Sequence, residues 1–161
     1  MTERRYNEIV DQYADALFRF IVKNLRHEED ARDIVQSAYE KLWVNREKVN
    51  PETVKSYLFT IAYNLMIDHI RKSKRMSYRE NFGEHERGAI QQTGKTNRIL
   101  EEAFSRLNET QRSLVMLKDY EGYNYDEIGK ITGLSESQVK VYLHRARLQL
   151  RAYIVDPQNV L

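Results

Sequence analysis

Residues 124–151 read NYDEIGKITGLSESQVKVYLHRARLQLR and contain the signals of two helices joined by a tight turn. Asn124 is a favourable N-cap, and the two acids that follow its neighbour suit the positive end of a helix dipole. Gly133 permits the left-handed bend that ends a helix. Ser135, followed three residues later by Gln138, has the form of a capping box for a second helix. The pattern is typical of a helix-turn-helix, which indicates DNA binding.

The second helix of this pair has two chemically different faces. Apolar residues at helical spacing form a core stripe of Val139, Leu143, Ala146 and Leu150. The opposite face, with Arg145 at its flank, consists of Ser137, Lys140, Val141, His144, Arg147 and Arg151. No acid occurs between Glu136 and Asp156, so the face offers groups that meet phosphates and base edges. A basic face that is merely solvated is the alternative interpretation.

Composition limits the possible classes of protein. A chain of 161 residues with 41% hydrophobic residues can hold one medium or two small domains. The formal net charge is only +2, but basic residues cluster at 71–79 and acidic residues at 28–33. One cluster can meet DNA and the other a basic protein surface. The absence of cysteine excludes disulfides, thiolate catalysis and cysteine-ligated metal.

The sequence also carries negative signals. Its N-terminal residues hold no uninterrupted apolar run, so we expect a cytoplasmic protein without membrane insertion. The histidines fall in separate predicted elements and are not expected to cluster: His27, His69, His85 and His144. Neither a metal nor a cofactor is therefore expected. No Gly-rich phosphate loop or Ser-His-Asp set supports catalysis, and no enzyme activity is expected.

Apolar periodicity predicts helices in the N-terminal half, and strand signals are absent. One helix is predicted between residues 6 and 25 and a second between residues 31 and 42. Asn50–Pro51 breaks the chain, and a third helix is predicted from about Thr53 to near Arg75.

The periodicity is then interrupted once. Residues 81–98 lose it and hold three of the six glycines, which predicts a flexible linker. A helix is predicted to begin at Ile99, and Asn108 can cap the next one. The expected fold is all-α, with two small helical domains at residues 1–80 and 99–161, the C-terminal one containing the helix-turn-helix.

The third helix is apolar at almost every position between Leu58 and Ile70. A narrow polar stripe crosses it and runs into the basic cluster: Thr60, Asn64, Asp68, Arg71 and Arg75. We expect Tyr57, Phe59 and Tyr63 to add aromatic surface beside the stripe. Aromatic rings and cations together can bind unpaired nucleic-acid strands. The solvent-facing seam of a packed bundle is the alternative.

Three segments in this order resemble the bacterial RNA polymerase sigma factors of the extracytoplasmic-function type. They are DARDIVQSAYEKLW at 30–43, YLFTIAYNLMIDHIRK at 57–72, and the helix-turn-helix. The resemblance covers nearly the whole chain apart from the linker. It implies that the first domain binds the clamp helices of core RNA polymerase and melts the minus-ten promoter element. The second domain would bind the minus-thirty-five element and the polymerase flap, and an anti-sigma factor is a further implied partner.

The resemblance also assigns roles to particular positions. Asp33 and Gln36 match the polymerase-contacting motif, with Glu40 one turn further on. The minus-ten segment contains Asn64, Asp68, Arg71, Lys72 and Arg75. The minus-thirty-five surface comprises Ser137, Lys140, Val141, His144, Arg145 and Arg147. The loop at residues 50–53 occupies the place where the family captures a flipped base. Asp68 has an alternative role, pairing with Arg71 or Lys72 along the helix.

Two departures from the family pattern occur in the helix-turn-helix. Gly129 stands where alanine is usual, and Ser137–Gln138 stands where Gly-Thr is frequent. Gly129 still permits close helix packing but costs about 1 kcal/mol of helix propensity. A one-component helix-turn-helix regulator and a nuclease or other DNA enzyme are the competing classes. Comigration with core RNA polymerase discriminates between them and a sigma factor.

Overall fold

The computed structural model describes the backbone of residues 1–80 and 95–156 and the side chains of residues 1–76 and 98–156. The chain divides into two compact units, Met1–Gly88 and Ala89–Leu161. All regular elements of the described residues are helical, which confirms the predicted all-α class. The predicted linker falls outside the described residues, except that its last residues already belong to a helix.

The first unit consists of three helices and one short turn of 3-10 helix. They are α1 (Glu3–Leu25), α2 (Glu28–Val44), the turn Pro51–Thr53, and α3 (Val54–Glu80). Each of the three helices packs against the other two. Their core contains the fully buried side chains Ile9, Leu17, Phe20, Ile21, Leu42, Leu58, Phe59 and Met66.

Caps extend the first two helices beyond the predicted apolar stretches. The Thr2 side chain accepts the Arg5 N–H at 3.1 Å, so α1 begins in a polar first turn. The helix ends at Leu25, and its C-cap Arg26 adopts a left-handed conformation with φ 59°. His27 caps α2 by accepting the Asp30 N–H at 3.2 Å. Periodicity alone located the apolar parts of these helices and not their polar ends.

The second unit contains four α-helices and one π-helical turn. They are α4 (Lys95–Arg106), α5 (Glu109–Val115), the π-helical turn Met116–Tyr120, α6 (Tyr125–Thr132) and α7 (Glu136–Val155). The buried core includes Leu107, Leu114, Leu117, Ile128, Ile131, Val139, Leu143 and Ala146. Asn108 caps α5, as predicted, and it does so in a full capping box with Gln111.

The predicted helix at Ile99 begins four residues earlier, at Lys95, because its first turn is polar. None of the helices in the described part of the chain is long and apolar enough to cross a membrane.

Candidate nucleic-acid interface

The helix-turn-helix forms with the caps that its sequence predicts. Asn124 Oδ1 accepts the Glu127 N–H at 2.8 Å and starts α6. Gly133 ends α6 in the left-handed region, with φ 79°. Ser135 Oγ accepts the Gln138 N–H at 3.1 Å, and Gln138 Oε1 accepts the Ser135 N–H at 2.9 Å. Both helices of the motif are therefore anchored at their N-termini by side chains.

Gly129 is required by the way this turn closes. A Cβ at this position would lie 2.8 Å from the Leu134 carbonyl oxygen, well inside van der Waals contact. That oxygen belongs to the backbone of the turn, which cannot move aside as a flexible side chain can. Glycine at position 129, where alanine is usual in the family, therefore occurs together with an unusually close approach of α6 to the turn.

The two predicted faces of α7 are present. Val139, Leu143 and Ala146 are buried, and Leu150 is half-buried. The predicted DNA-facing residues are all exposed: Ser137, Lys140, Val141, His144, Arg145, Arg147 and Arg151. The second unit thus presents cationic and hydrogen-bonding groups on the helix that a helix-turn-helix inserts into the major groove.

Arg147 is not a freely mobile cation. Its guanidinium bonds both carboxylate oxygens of Asp119 in the π-helical turn, with Nε donating to Oδ2 at 3.3 Å. These hydrogen bonds raise the pKa of the Arg147 guanidinium above its ordinary value. The pair joins residues 28 positions apart and ties α7 to the element that precedes the helix-turn-helix.

Lys118 and Tyr125, which the sequence did not single out, lie beside the predicted residue Lys140 on this surface. The ammonium groups of Lys118 and Lys140 lie 4.6 Å and 5.3 Å from the ring centroid of Tyr125, within the range of cation–π attraction. Lys140 also pairs with Glu136 at 3.3 Å. Tyr125 therefore gathers two cations at the start of the motif. The Lys118 contribution depends on the π-helical turn, which apolar spacing does not predict.

In the first unit, α3 exposes the predicted polar stripe. Asn64, Asp68, Arg71, Lys72 and Arg75 are all exposed. Thr60, at the start of the stripe, instead donates its hydroxyl to the Ser56 carbonyl at 2.7 Å. The predicted ion pair of Asp68 with Arg71 or Lys72 is not formed among the described residues. The exposed stripe consists of one amide, one carboxylate and three cations.

The expected aromatic surface beside this stripe is wrong. Phe59 is fully buried and packs against Phe20, with ring centroids 5.4 Å apart, and Tyr63 is 6% exposed. Only Tyr57 is half-buried. A helix that is apolar on nearly every side has no periodicity from which its core face can be read.

The predicted polymerase-facing residues lie on one exposed side of α2. Asp33, Gln36 and Glu40 are exposed, and Gln36 Nε2 donates to Glu40 Oε1 at 3.4 Å. Burial and the nearby Glu40 carboxylate raise the pKa of Tyr6 on α1. Glu40, at one end of this side of α2, is therefore close enough to the Tyr6 side chain to interact with it electrostatically.

A cleft between α2 and α3 joins the two predicted sites of the first unit. Its cavity of about 240 Å³ is lined by Asp30, Asp33, Ile34, Ser37, Leu65, Asp68, His69 and Lys72. Asp33, from the polymerase-facing set, thus lies in the same cleft as Asp68 and Lys72 from the minus-ten set.

Two histidines lie beside Asp30, one of the residues that line this cleft, contrary to the expectation that the histidines do not cluster. His27 Nδ1 and His69 Nε2 lie 3.3 Å and 3.1 Å from the same oxygen of Asp30. The three residues come from the start of α2 and the middle of α3, a proximity that sequence spacing does not reveal. No group of metal-ligating side chains is found among the described residues. His85 lies outside them.

Comparison with known proteins assigns the family. Residues 9–76 match the model of sigma-70 region 2, and residues 97–150 match that of sigma-70 region 4. The chain is 30% identical over 148 residues to the RNA polymerase sigma factor SigV of Bacillus subtilis, covering 89% of this chain and 86% of SigV. It is 27% identical over 157 residues to the ECF RNA polymerase sigma factor SigE of Mycolicibacterium smegmatis, with 92% of this chain covered.

The chain spans 61% of the length of SigE. Among solved structures, the fold resembles that of the sigma factor RpoE in complex with the anti-sigma factor NepR from Bartonella quintana, with a TM-score of 0.82. The identity is 22%, and 94% of this chain and 98% of RpoE are covered. The chain belongs to the RNA polymerase sigma factors of the extracytoplasmic-function type.

Proposed function

We propose that this chain directs core RNA polymerase to a set of promoters by binding both promoter elements and opening the DNA. The observation that carries this function is the capped helix-turn-helix, whose α7 exposes cations and lacks acids from Ser137 to Val155. Its presence with an exposed polar stripe on α3 suits two separate DNA contacts. The chain performs no chemistry itself and acts through the polymerase, in the cytoplasm.

The second unit binds the minus-thirty-five element. Ser137, Lys140, Val141, His144 and Arg145 face base edges and phosphates in the major groove. Arg147 is held by Asp119 and contributes a fixed positive charge at the edge of that surface. Support comes from Lys118 and Tyr125, which add a cation beside Lys140. The same unit contacts the polymerase flap.

The first unit separates the strands at the minus-ten element. The Asn64 amide can hydrogen-bond an unstacked base, and Arg71, Lys72 and Arg75 can neutralise phosphates of the displaced strand. Asp68 has no ion-pair partner among the described residues and is available to accept a base amino group. The loop at residues 50–53 receives a second flipped base.

The loop's own geometry limits which atoms take part. Asn50 Oδ1 already accepts the Glu52 N–H at 3.0 Å, which starts the 3-10 turn. We therefore assign base contacts in this loop to its remaining polar groups.

Polymerase binding falls to the exposed side of α2. The carboxylates of Asp33 and Glu40 and the Gln36 amide suit a basic helix such as those of the polymerase clamp. We also propose two units at residues 1–80 and 99–161, connected through residues 81–98, of which residues 95–98 already belong to α4. Because RpoE is recorded with the anti-sigma factor NepR, we also propose an anti-sigma factor as a partner of this chain.

Comigration with core RNA polymerase, followed by run-off transcription from a library of genomic promoters, tests this function. The parent chain should comigrate and support specific transcripts. Asp33→Ala with Gln36→Ala should weaken comigration. Glu28→Ala with Gln12→Ala removes the same functional groups elsewhere on the first unit and serves as the control. A parent chain that binds promoter DNA and never comigrates with polymerase would instead be a helix-turn-helix regulator.

A further inference from the structure

The half of α3 that carries the proposed minus-ten cations lies beyond the hydrophobic core. The buried residues of this helix end at Met66, and residues 67–76 are all half-buried or exposed. Arg71, Lys72 and Arg75 all lie in this exposed half. Core packing does not enclose the backbone from which these cations project. Their position therefore depends on the contacts that hold the exposed half of α3.

His69 connects the exposed half of α3 to α2. Its Nε2 lies 3.1 Å from Asp30 Oδ2, one helical turn beyond Met66. A carboxylate can only accept, so His69 Nε2 carries the hydrogen and donates it. The two residues are 39 positions apart in the chain, and both side chains are 37% exposed. His69 directly follows Asp68 and precedes Lys72 by one turn, so the contact falls inside the proposed minus-ten set.

The acceptor of this hydrogen bond is itself held in place. His27 Nδ1 accepts the Asp30 backbone N–H at 3.2 Å as the N-cap of α2. Because this nitrogen accepts, it has no hydrogen for the Asp30 carboxylate, which lies 3.3 Å away. Asp30 also lies in the first turn of α2, where the helix dipole favours an acid. One histidine thus fixes the Asp30 backbone, and the other binds its side chain.

The length of α3 beyond the core amplifies any change in its tilt. Arg75 lies about 14 Å along the helix from Met66. A tilt of about ten degrees about Met66 would therefore move Arg75 by about 2 Å, enough to break a hydrogen bond to a phosphate. The contact between His69 and Asp30 is partly exposed, so its loss should change the stability of the first unit little. Its effect on the placement of the cations is the larger one.

We propose that Asp30 and His69 are positioning residues for promoter opening. Their hydrogen bond orients the exposed half of α3 so that Arg71, Lys72 and Arg75 meet phosphates of the displaced strand. The pair acts through these cations and needs no contact of its own with DNA. This inference rests on the proposed role of α3 at the minus-ten element.

Open-complex formation with core RNA polymerase tests the proposal. His69→Gln keeps an N–H donor on a side chain of similar reach, whereas His69→Leu keeps an apolar side chain and loses the donor. On a duplex promoter from the run-off library, His69→Leu should slow the appearance of permanganate-reactive minus-ten thymines about three- to tenfold. His69→Gln should stay within about twofold of the parent chain. Both variants should bind polymerase normally, and a template mismatched at minus-ten should relieve the defect of His69→Leu.

A double-mutant cycle tests whether His69 acts through Asp30. Asp30→Ala should slow opening about as much as His69→Leu, and combining the two should add less than about a further twofold. Thr2→Ala is the matched control, because it removes the α1 cap that accepts the Arg5 N–H at 3.1 Å. It should destabilise the first unit at least as much and leave the opening rate within about twofold of the parent. Denaturation followed by Trp43 fluorescence measures the stability of each variant.

Four results would overturn the proposal. Opening by His69→Leu at the parent rate would remove His69 from this step. Equal losses for His69→Leu and His69→Gln, or additive losses in the double variant, would exclude the hydrogen bond to Asp30 as the cause. A similar loss for Thr2→Ala would reduce the effect to stability, and weaker polymerase binding by His69→Leu would assign the residue to that interface. A parent chain that never makes thymines reactive would instead contradict the proposed function, and this role with it.

Discussion

Variants of the ion pair between Asp119 and Arg147 can separate the contribution of Arg147 to stability from its contribution to DNA binding. Its side chains are 40% and 44% exposed, so solvent screening limits its contribution to about 1 kcal/mol despite two hydrogen bonds. Asp119→Ala and Arg147→Ala should therefore each lower the unfolding free energy of the second unit by about that amount. The double variant should lose little more than either single one, because both remove the same interaction.

The two variants should differ on DNA. Arg147→Ala removes a fixed cation from the proposed minus-thirty-five surface. The slope of log K for DNA binding against log salt concentration should therefore become shallower by about 0.9. Asp119→Ala removes an anion from the same place and should bind at least as tightly as the parent. Competition titrations at several salt concentrations measure both. An unchanged affinity and salt slope for Arg147→Ala would restrict Arg147 to a structural role.

Unfolding of the two units can be followed separately. The chain's one tryptophan, Trp43, lies in the first unit against Tyr6, with ring centroids 4.9 Å apart. The denaturation midpoint measured by tryptophan fluorescence should be the same in both variants as in the parent chain. The lower unfolding free energy of the second unit should appear only in denaturation followed by far-ultraviolet circular dichroism, which reports on the whole chain.

Three further predictions concern single positions. Lys118→Ala should weaken DNA binding evenly across sequences and make the slope of log K against log salt concentration shallower by about 0.9. An unchanged slope would show that Lys118 does not belong to the DNA interface. Gly129→Ala should lower the unfolding free energy by about 1 kcal/mol, because the steric clash with the Leu134 carbonyl outweighs the gain in helix propensity. A variant more stable than the parent chain would contradict this. Burial raises the pKa of Tyr39 from 10.0 to about 12, so the unfolded chain loses its proton first. Stability should fall by up to about 3 kcal/mol between pH 10 and 12, and Tyr39→Phe, followed by Trp43 fluorescence, should remove most of that fall.

Local signals in the sequence predicted the helix-turn-helix closely. The caps at Asn124 and Ser135 and the left-handed Gly133 each depend on residues only a few positions away. Such signals act within one turn of backbone and need no knowledge of the fold. For the same reason the core stripe of α7 was correct through Ala146, where spacing alone defines the face.

Contacts between distant residues were not predicted. His27 and His69 share Asp30 only because α2 and α3 pack side by side. Asp119 reaches Arg147 because a π-helical turn places it toward α7, and that turn has no simple sequence pattern. Phe59 was misplaced because α3 is apolar on nearly every side, so only packing against Phe20 fixes its core face.

Promoter opening separates a sigma factor from any other helix-turn-helix protein, and permanganate reactivity of unpaired thymines measures it directly. With core RNA polymerase on a duplex promoter taken from the run-off library, the parent chain should make minus-ten thymines reactive. Asn64→Ala and Arg71→Ala should bind polymerase and the upstream element normally, show reduced reactivity, and recover it on a template already mismatched at minus-ten. Parent-level reactivity of both variants on the duplex promoter would contradict the role of α3 in melting.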